Sequence, residues 1–84
     1  MSLDEQFNDA QQRVKQLTKR PSNEDLLNLY ALFKQGTTGD ATGKRPGMMD
    51  FKGRAKFDAW AAKRGNSLEE AKKEYIALVD RLLA

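Results

Sequence analysis

Apolar residues near both ends of this 84-residue chain recur at alternating intervals of three and four. In the first segment they are Leu3, Phe7, Ala10, Val14 and Leu17; in the last, Leu68, Ala71, Tyr75, Leu78 (with Val79) and Leu82. That interval matches the turn of an α-helix and places each set along one stripe. Each stripe is opened by a serine followed three residues later by a glutamate, Ser2 with Glu5 and Ser67 with Glu70. A serine and a glutamate so spaced satisfy each other's free backbone N–H groups and start a helix. The spacing therefore predicts an amphipathic helix at each end of the chain, each needing a partner for its apolar face.

The middle supplies those partners. A second helix is predicted to begin near Ser22 or Asn23, where Glu24 and Asp25 suit the positive end of the helix dipole. Leu26, Leu29, Tyr30 and Phe33 fall on one face, and Leu27, Ala31 and Lys34 on its neighbour. Gly36 reads as the stop. Residues 36–50 hold four glycines and a proline and read as a long loop, a length that is uncommon in compact domains and often functional. Asp50 suits the cap of a third helix, expected over about Phe51–Lys63 and closing at Gly65. The expected fold class is all-α: a four-helix bundle with a long loop between helices 2 and 3. Residues 1–84 are too few for more than one domain.

Charge is concentrated rather than spread. Residues 34–56 carry six Lys/Arg against two acidic residues, while the flanks nearly balance, so the net +3 resides in this one segment. Aromatic residues lie beside it, Tyr30 and Phe33 ahead of the loop and Phe51 after it. Lys52 and Lys56 are four apart, on one helix face, with Arg54 just off it. Like charges at this interval cost a helix about 0.2–0.5 kcal/mol, a cost that a bound anion offsets. Lys34 lies one turn after Tyr30 and can meet the third helix across a groove. Lysine ammonium groups and a phenol together can chelate a phosphate, and a ring beside them suits a flat group.

Other chemistry is excluded by what the chain lacks. It contains no cysteine and no histidine. Thiol chemistry is absent, and so are the usual general base and the commonest metal ligand. No carboxylate pair stands out as catalytic, so a binding role is expected, without enzyme activity, metal or cofactor. Gly39-Asp-Ala-Thr-Gly43-Lys44-Arg45 is not a nucleotide-binding P-loop: it has three residues between its glycines instead of four, and Arg follows the Lys where Ser or Thr is required. No apolar run approaches the roughly 18 residues of a membrane span. The polar, acidic start is unlike a signal peptide, and the expected location is cytoplasmic.

The same residues carry a family resemblance. Tyr30-Ala-Leu-Phe33-Lys34-Gln35-Gly-Thr-Thr-Gly39-Asp40, then Arg45-Pro46-Gly47-Met48-Met49-Asp50-Phe51-Lys52-Gly53-Arg54-Ala55-Lys56 and Ala59-Trp60, resembles the acyl-CoA-binding protein family. Phe7 and Val14-Lys15 agree in the first helix, and Ala71, Tyr75 and Ile76 in the last. The resemblance implies an up-down-down-up bundle forming a single acyl-CoA-binding domain, which carries, protects and pools long-chain fatty acyl-CoA esters as a monomer without stable membrane insertion. It implies that Tyr30, Lys34 and Lys56 grip the ribose 3′-phosphate and that Phe33 lies by the adenine. Tyr75 lines the acyl-chain side, with Lys15 and Arg20 at the rim. Phe33 stands where the family more often has Tyr, Gly36 where it has Ala, and Phe57 where an indole is common. The residues alone leave two other readings: a small basic helical domain that binds nucleic acid, or one that docks a protein through Met48, Met49 and the loop.

Overall fold

The computed structural model describes residues 1–84. Four α-helices, α1 (Leu3–Arg13), α2 (Asn23–Thr37), α3 (Phe51–Ala61) and α4 (Leu68–Leu83), are joined without any strand, and a single 3₁₀ turn, Val14–Gln16, extends α1. The caps are those expected. The Ser2 hydroxyl accepts from the Glu5 N–H at 3.1 Å while the Glu5 carboxylate accepts from the Ser2 N–H at 3.2 Å. Ser67 and Glu70 repeat the exchange at 3.0 and 3.2 Å. Ser22 caps α2 and Asp50 caps α3. Losing such a cap costs a helix about 1 kcal/mol.

Cross-helix pairs fix the directions. Lys72 meets Asp4 at 2.6 Å and Arg13 meets Asp80 at 2.7 Å, so the starts of α1 and α4 adjoin, as do their ends, and the two run parallel. Arg81 meets Asp25 at 2.8 Å, joining the end of α4 to the start of α2, which is therefore antiparallel to it. Lys56 lies over Tyr30, and Lys34 over Trp60, so α2 and α3 advance together. The order is up-down-down-up. In this bundle α4 is the hub for α1 and α2, α2 also packs on α3, and α1 makes no backbone packing with α2. At 39 × 29 × 15 Å, the molecule is about two helix layers thick, since packed axes lie roughly 8–10 Å apart.

The core joins Phe7 and Ala10 of α1, Leu32 of α2, and Tyr75 and Val79 of α4. Phe7 sits at its centre, edge-on to Tyr75 (5.1 Å, 81°) and stacked on Phe33 (6.2 Å, 29°). Three local expectations change. Gly36 does not end α2: it is buried inside the helix, where an added Cβ would lie 3.2 Å from Lys72 Cγ and 3.5 Å from Phe7 Cζ. The stop is Gly39, at φ +93°, a conformation that favours glycine. The loop therefore begins after Thr37, and α3 ends at Ala61 before a run of turns. Val14 falls in the 3₁₀ turn and Leu17 in extended backbone, which shortens the first α-helix.

Candidate functional site

Because α1 and α2 lean separately on α4, a gap remains between them. Phe7 and Phe33 close it partway along. Beyond them it opens into a groove of about 580 Å³. Val14, Leu17, Pro21, Leu26, Leu29, Phe33, Tyr30 and Tyr75 line it, with Lys15, Lys19 and Arg20 bringing positive charge. Tyr75 is buried, and its hydroxyl has no hydrogen-bond partner within the chain. A phenol of ordinary pKa 10.0 is protonated and able to donate at neutral pH, and burial pushes this one higher still.

A second, cationic group lies along the contact of α2 with α3. The Lys56 ammonium is 5.4 Å from the Tyr30 ring centre, and the Lys34 ammonium is 4.8 Å from the Trp60 ring centre. None of Lys34, Lys52 and Lys56 is in an ion pair, whereas Arg13, Arg45, Lys72 and Arg81 all are. Their charge is thus uncompensated within the protein, as an anion site requires. Tyr30 belongs to both groups: it lines the groove and lies under Lys56.

The structure thus brings Tyr30, Phe33, Tyr75, Lys15 and Arg20 into one groove, and sets Lys56 and Lys34 beside it on the far side of Tyr30. Lys52 is exposed one turn before Lys56 and contacts neither ring. Trp60 and the apolar walls Leu17, Leu26 and Leu29 were not among the expected site residues. A signal for Trp60 exists: it follows Lys56 by four, as Lys34 follows Tyr30 by four, so two parallel helices register both pairs at once.

The long loop is tied down rather than loose. Gln35, fully buried, donates to Asp40 Oδ1 at 2.8 Å and to the Asn66 carbonyl at 2.9 Å. Asp40 also accepts from the Gly65 N–H at 3.0 Å, and Trp60 Nε1 donates to the Gly39 carbonyl at 2.7 Å. Arg45 holds Asp58 through two bonds of 2.8 and 2.7 Å. These ties hold the end of α2, and with it Lys34, against Trp60.

The Gly65 and Gln35 hydrogen bonds hold the Asp40 carboxyl below its ordinary value of 3.8. A carboxyl lowered on folding contributes stability that is fully present above 3.8 and is lost as pH falls through the lower folded value. Asp40→Asn should therefore lower stability at neutral pH, and the difference from wild type should shrink as pH drops below 3.8. Urea titrations across that range check it; a difference that stays constant with pH refutes the role.

A helical bundle that sets an apolar groove beside unpaired lysines and rings has the makings of a binding site for a ligand with an apolar and an anionic part. Comparison with known proteins gives the family. The family model for acyl-CoA-binding protein matches residues 4–79. An acyl-CoA-binding protein homolog of Manduca sexta is 56% identical across 100% of this chain and 94% of its own length. An acyl-CoA-binding protein of Brassica napus is 53% identical across 99% and 90%. The crystal structure of Oryza sativa acyl-CoA-binding protein 2 superposes with a TM-score of 0.94 at 46% identity, covering 98% of this chain and 91% of that one. The chain belongs to the acyl-CoA-binding protein family.

Proposed function

We propose that residues 1–84 form a single acyl-CoA-binding domain that carries long-chain fatty acyl-CoA esters without chemical change. In this reading the domain works as a cytoplasmic monomer in transport and pool formation, with no nucleic-acid partner. The observation that carries the reading is the position of Tyr30, between an apolar groove and two unpaired lysines. An acyl-CoA has the matching polarity: a hydrocarbon chain at one end, a phosphorylated nucleoside at the other.

The 3′-phosphate is assigned to Lys34, Lys56 and the Tyr30 hydroxyl, with Lys52 adding field from one turn away. Phe33, exposed at the groove edge, offers a ring face to the adenine. The acyl chain is assigned to the groove over Leu29, Val14 and Tyr75, with Lys15 and Arg20 at its rim. Two lysines beside two rings suit one phosphate and one base better than a long nucleic-acid backbone, which calls for an extended basic stripe.

Magnitudes support a two-part site. A chain of about fifteen methylenes contributes up to about 12 kcal/mol when fully buried. An open groove and the cost of immobilising the ligand reduce that considerably. Charged hydrogen bonds to phosphate add about 1.5–3 kcal/mol each. Tight binding therefore needs both ends. Isothermal titration should give one-to-one binding of palmitoyl-CoA below its micelle concentration, far weaker binding of CoA and almost none of palmitate. Palmitate binding as well as its CoA ester would refute the phosphate site, and no binding of the ester would refute the function.

A further inference from the structure

The Asp50 N–H donates to the Gly47 carbonyl at 3.0 Å, closing a turn whose two corner residues are Met48 and Met49. Turn corners are ordinarily Gly, Pro, Asn, Asp or Ser. Here the methionines are 77% and 90% exposed, and Phe51, which opens α3, is 77% exposed. Three large apolar side chains within four residues thus project into water with no partner in the fold.

Their surroundings are cationic. Lys44 precedes the turn and Lys52 follows it, and neither is in an ion pair. The Tyr30–Lys56 and Lys34–Trp60 contacts set the register of α2 and α3, so Phe51 lies level with the first turn of α2. The turn therefore shares an end of the bundle with Lys19, Arg20 and the adjoining part of the groove. Three acidic groups at that end are engaged, Asp50 by the Gly53 N–H, Asp25 by Arg81 and Asp80 by Arg13, while Glu24 is in no ion pair.

We propose that the Met48-Met49-Phe51 turn docks the protein transiently on anionic lipid bilayers, its apolar tips entering the headgroup boundary while Lys44, Lys52, Lys19 and Arg20 face lipid phosphates and carboxylates. Charge complementarity selects the occupant: apolar tips within a basic field suit a negatively charged lipid surface. No helix is long and apolar enough to cross a membrane, so the contact is peripheral. The proposal shares Lys52 and Arg20 with the acyl-CoA reading but does not rest on it, because the apolar turn itself lies outside that site and the unliganded protein carries it.

The test is co-sedimentation of the unliganded full chain with phosphatidylcholine vesicles with or without phosphatidylserine, at low and at raised salt. Binding is expected to the anionic vesicles only, weakening as salt screens the charges. The variant Met48→Ser/Met49→Ser/Phe51→Gln should partition roughly tenfold less, since three apolar tips are removed. Its melting temperature and its affinity for palmitoyl-CoA in solution should be unchanged. Should that variant fold poorly, Met49→Ser alone, at the most exposed position, should still weaken partitioning severalfold. Absence of binding to anionic vesicles overturns the proposal, as does binding that both variants retain in full. Concentration-dependent dimers that the variants abolish, without vesicle binding, would overturn it by assigning the turn to a second copy.

Discussion

Phe7→Ala is expected to remove about 3–5 kcal/mol of folding stability, the usual cost of emptying a buried phenylalanine site. A domain of this size has only about 5–15 kcal/mol in total, so the variant should sit near the edge of stability. The environment argues for the upper part of that range. Phe7 is 3% exposed and sits in the core cluster with Tyr75 edge-on and Phe33 face-on, its ring tip close enough to α2 that a Cβ added at Gly36 would lie 3.5 Å from it. It also lies under the Lys72 ammonium, 5.9 Å from the ring centre. Urea unfolding should show a lower midpoint with little change of slope, and the melting temperature should fall by roughly 15 °C or more. Phe33→Ala is the control: that ring joins the same stack but is 36% exposed, and should cost clearly less. Equal losses, or a loss below about 1 kcal/mol for Phe7→Ala, would show that the aromatic stack is not the keystone of the bundle.

What could be read in the sequence follows from the range of the interactions involved. The two Ser-x-x-Glu boxes and the single stripes of α1 and α4 are local, and they fold as read. Helix α2 was harder because it packs on two helices at once. Its buried arc is therefore wide, and takes in Leu32 and Gln35, which belong to neither of the faces expected from spacing. Gly36 misleads for a related reason. Glycine normally ends a helix, but here the need is for space under the Lys72 side chain, a contact 36 residues away in the chain. The burial of Gln35 is equally non-local, depending on acceptors at Asp40 and Asn66. For the site, residue types and charge concentration suggested a phosphate partner. The pairing of Lys56 with Tyr30 required the parallel register of α2 and α3, which no local pattern encodes. The resemblance supplied that pairing ahead of the structure. The resemblance also implied an acyl-chain side with Tyr75, Lys15 and Arg20, but the apolar walls Leu17, Leu26 and Leu29 came from neither source, because the groove is the space left where two helices share a hub without packing on each other.

Removing the lysines should separate binding from folding. Lys34→Ala and Lys56→Ala are each expected to weaken palmitoyl-CoA binding about tenfold to a hundredfold, the equivalent of one charged hydrogen bond to phosphate. Neither residue is in an ion pair, so the folded state loses only a cation–ring contact, about 0.5–1 kcal/mol at an accessible site. Lys34→Ala should cost slightly more stability than Lys56→Ala, because Lys34 is half-buried and closer to its ring, 4.8 against 5.4 Å. Lys52→Ala should have the smallest effect on affinity, since its exposed charge acts from one turn away, and that effect should disappear at high salt. Titration calorimetry gives the affinities and urea unfolding of the same preparations gives the stabilities. If both Ala variants kept wild-type affinity, the phosphate would have to lie elsewhere, with Lys15, Lys19 and Arg20 at the groove as the remaining cations. If Lys52→Ala proved the most damaging, the phosphate would sit further toward the start of α3, away from Trp60. If Lys34→Ala lost affinity and stability together, the Lys34–Trp60 contact would be holding the end of α2 in place, a structural role in addition to its charge.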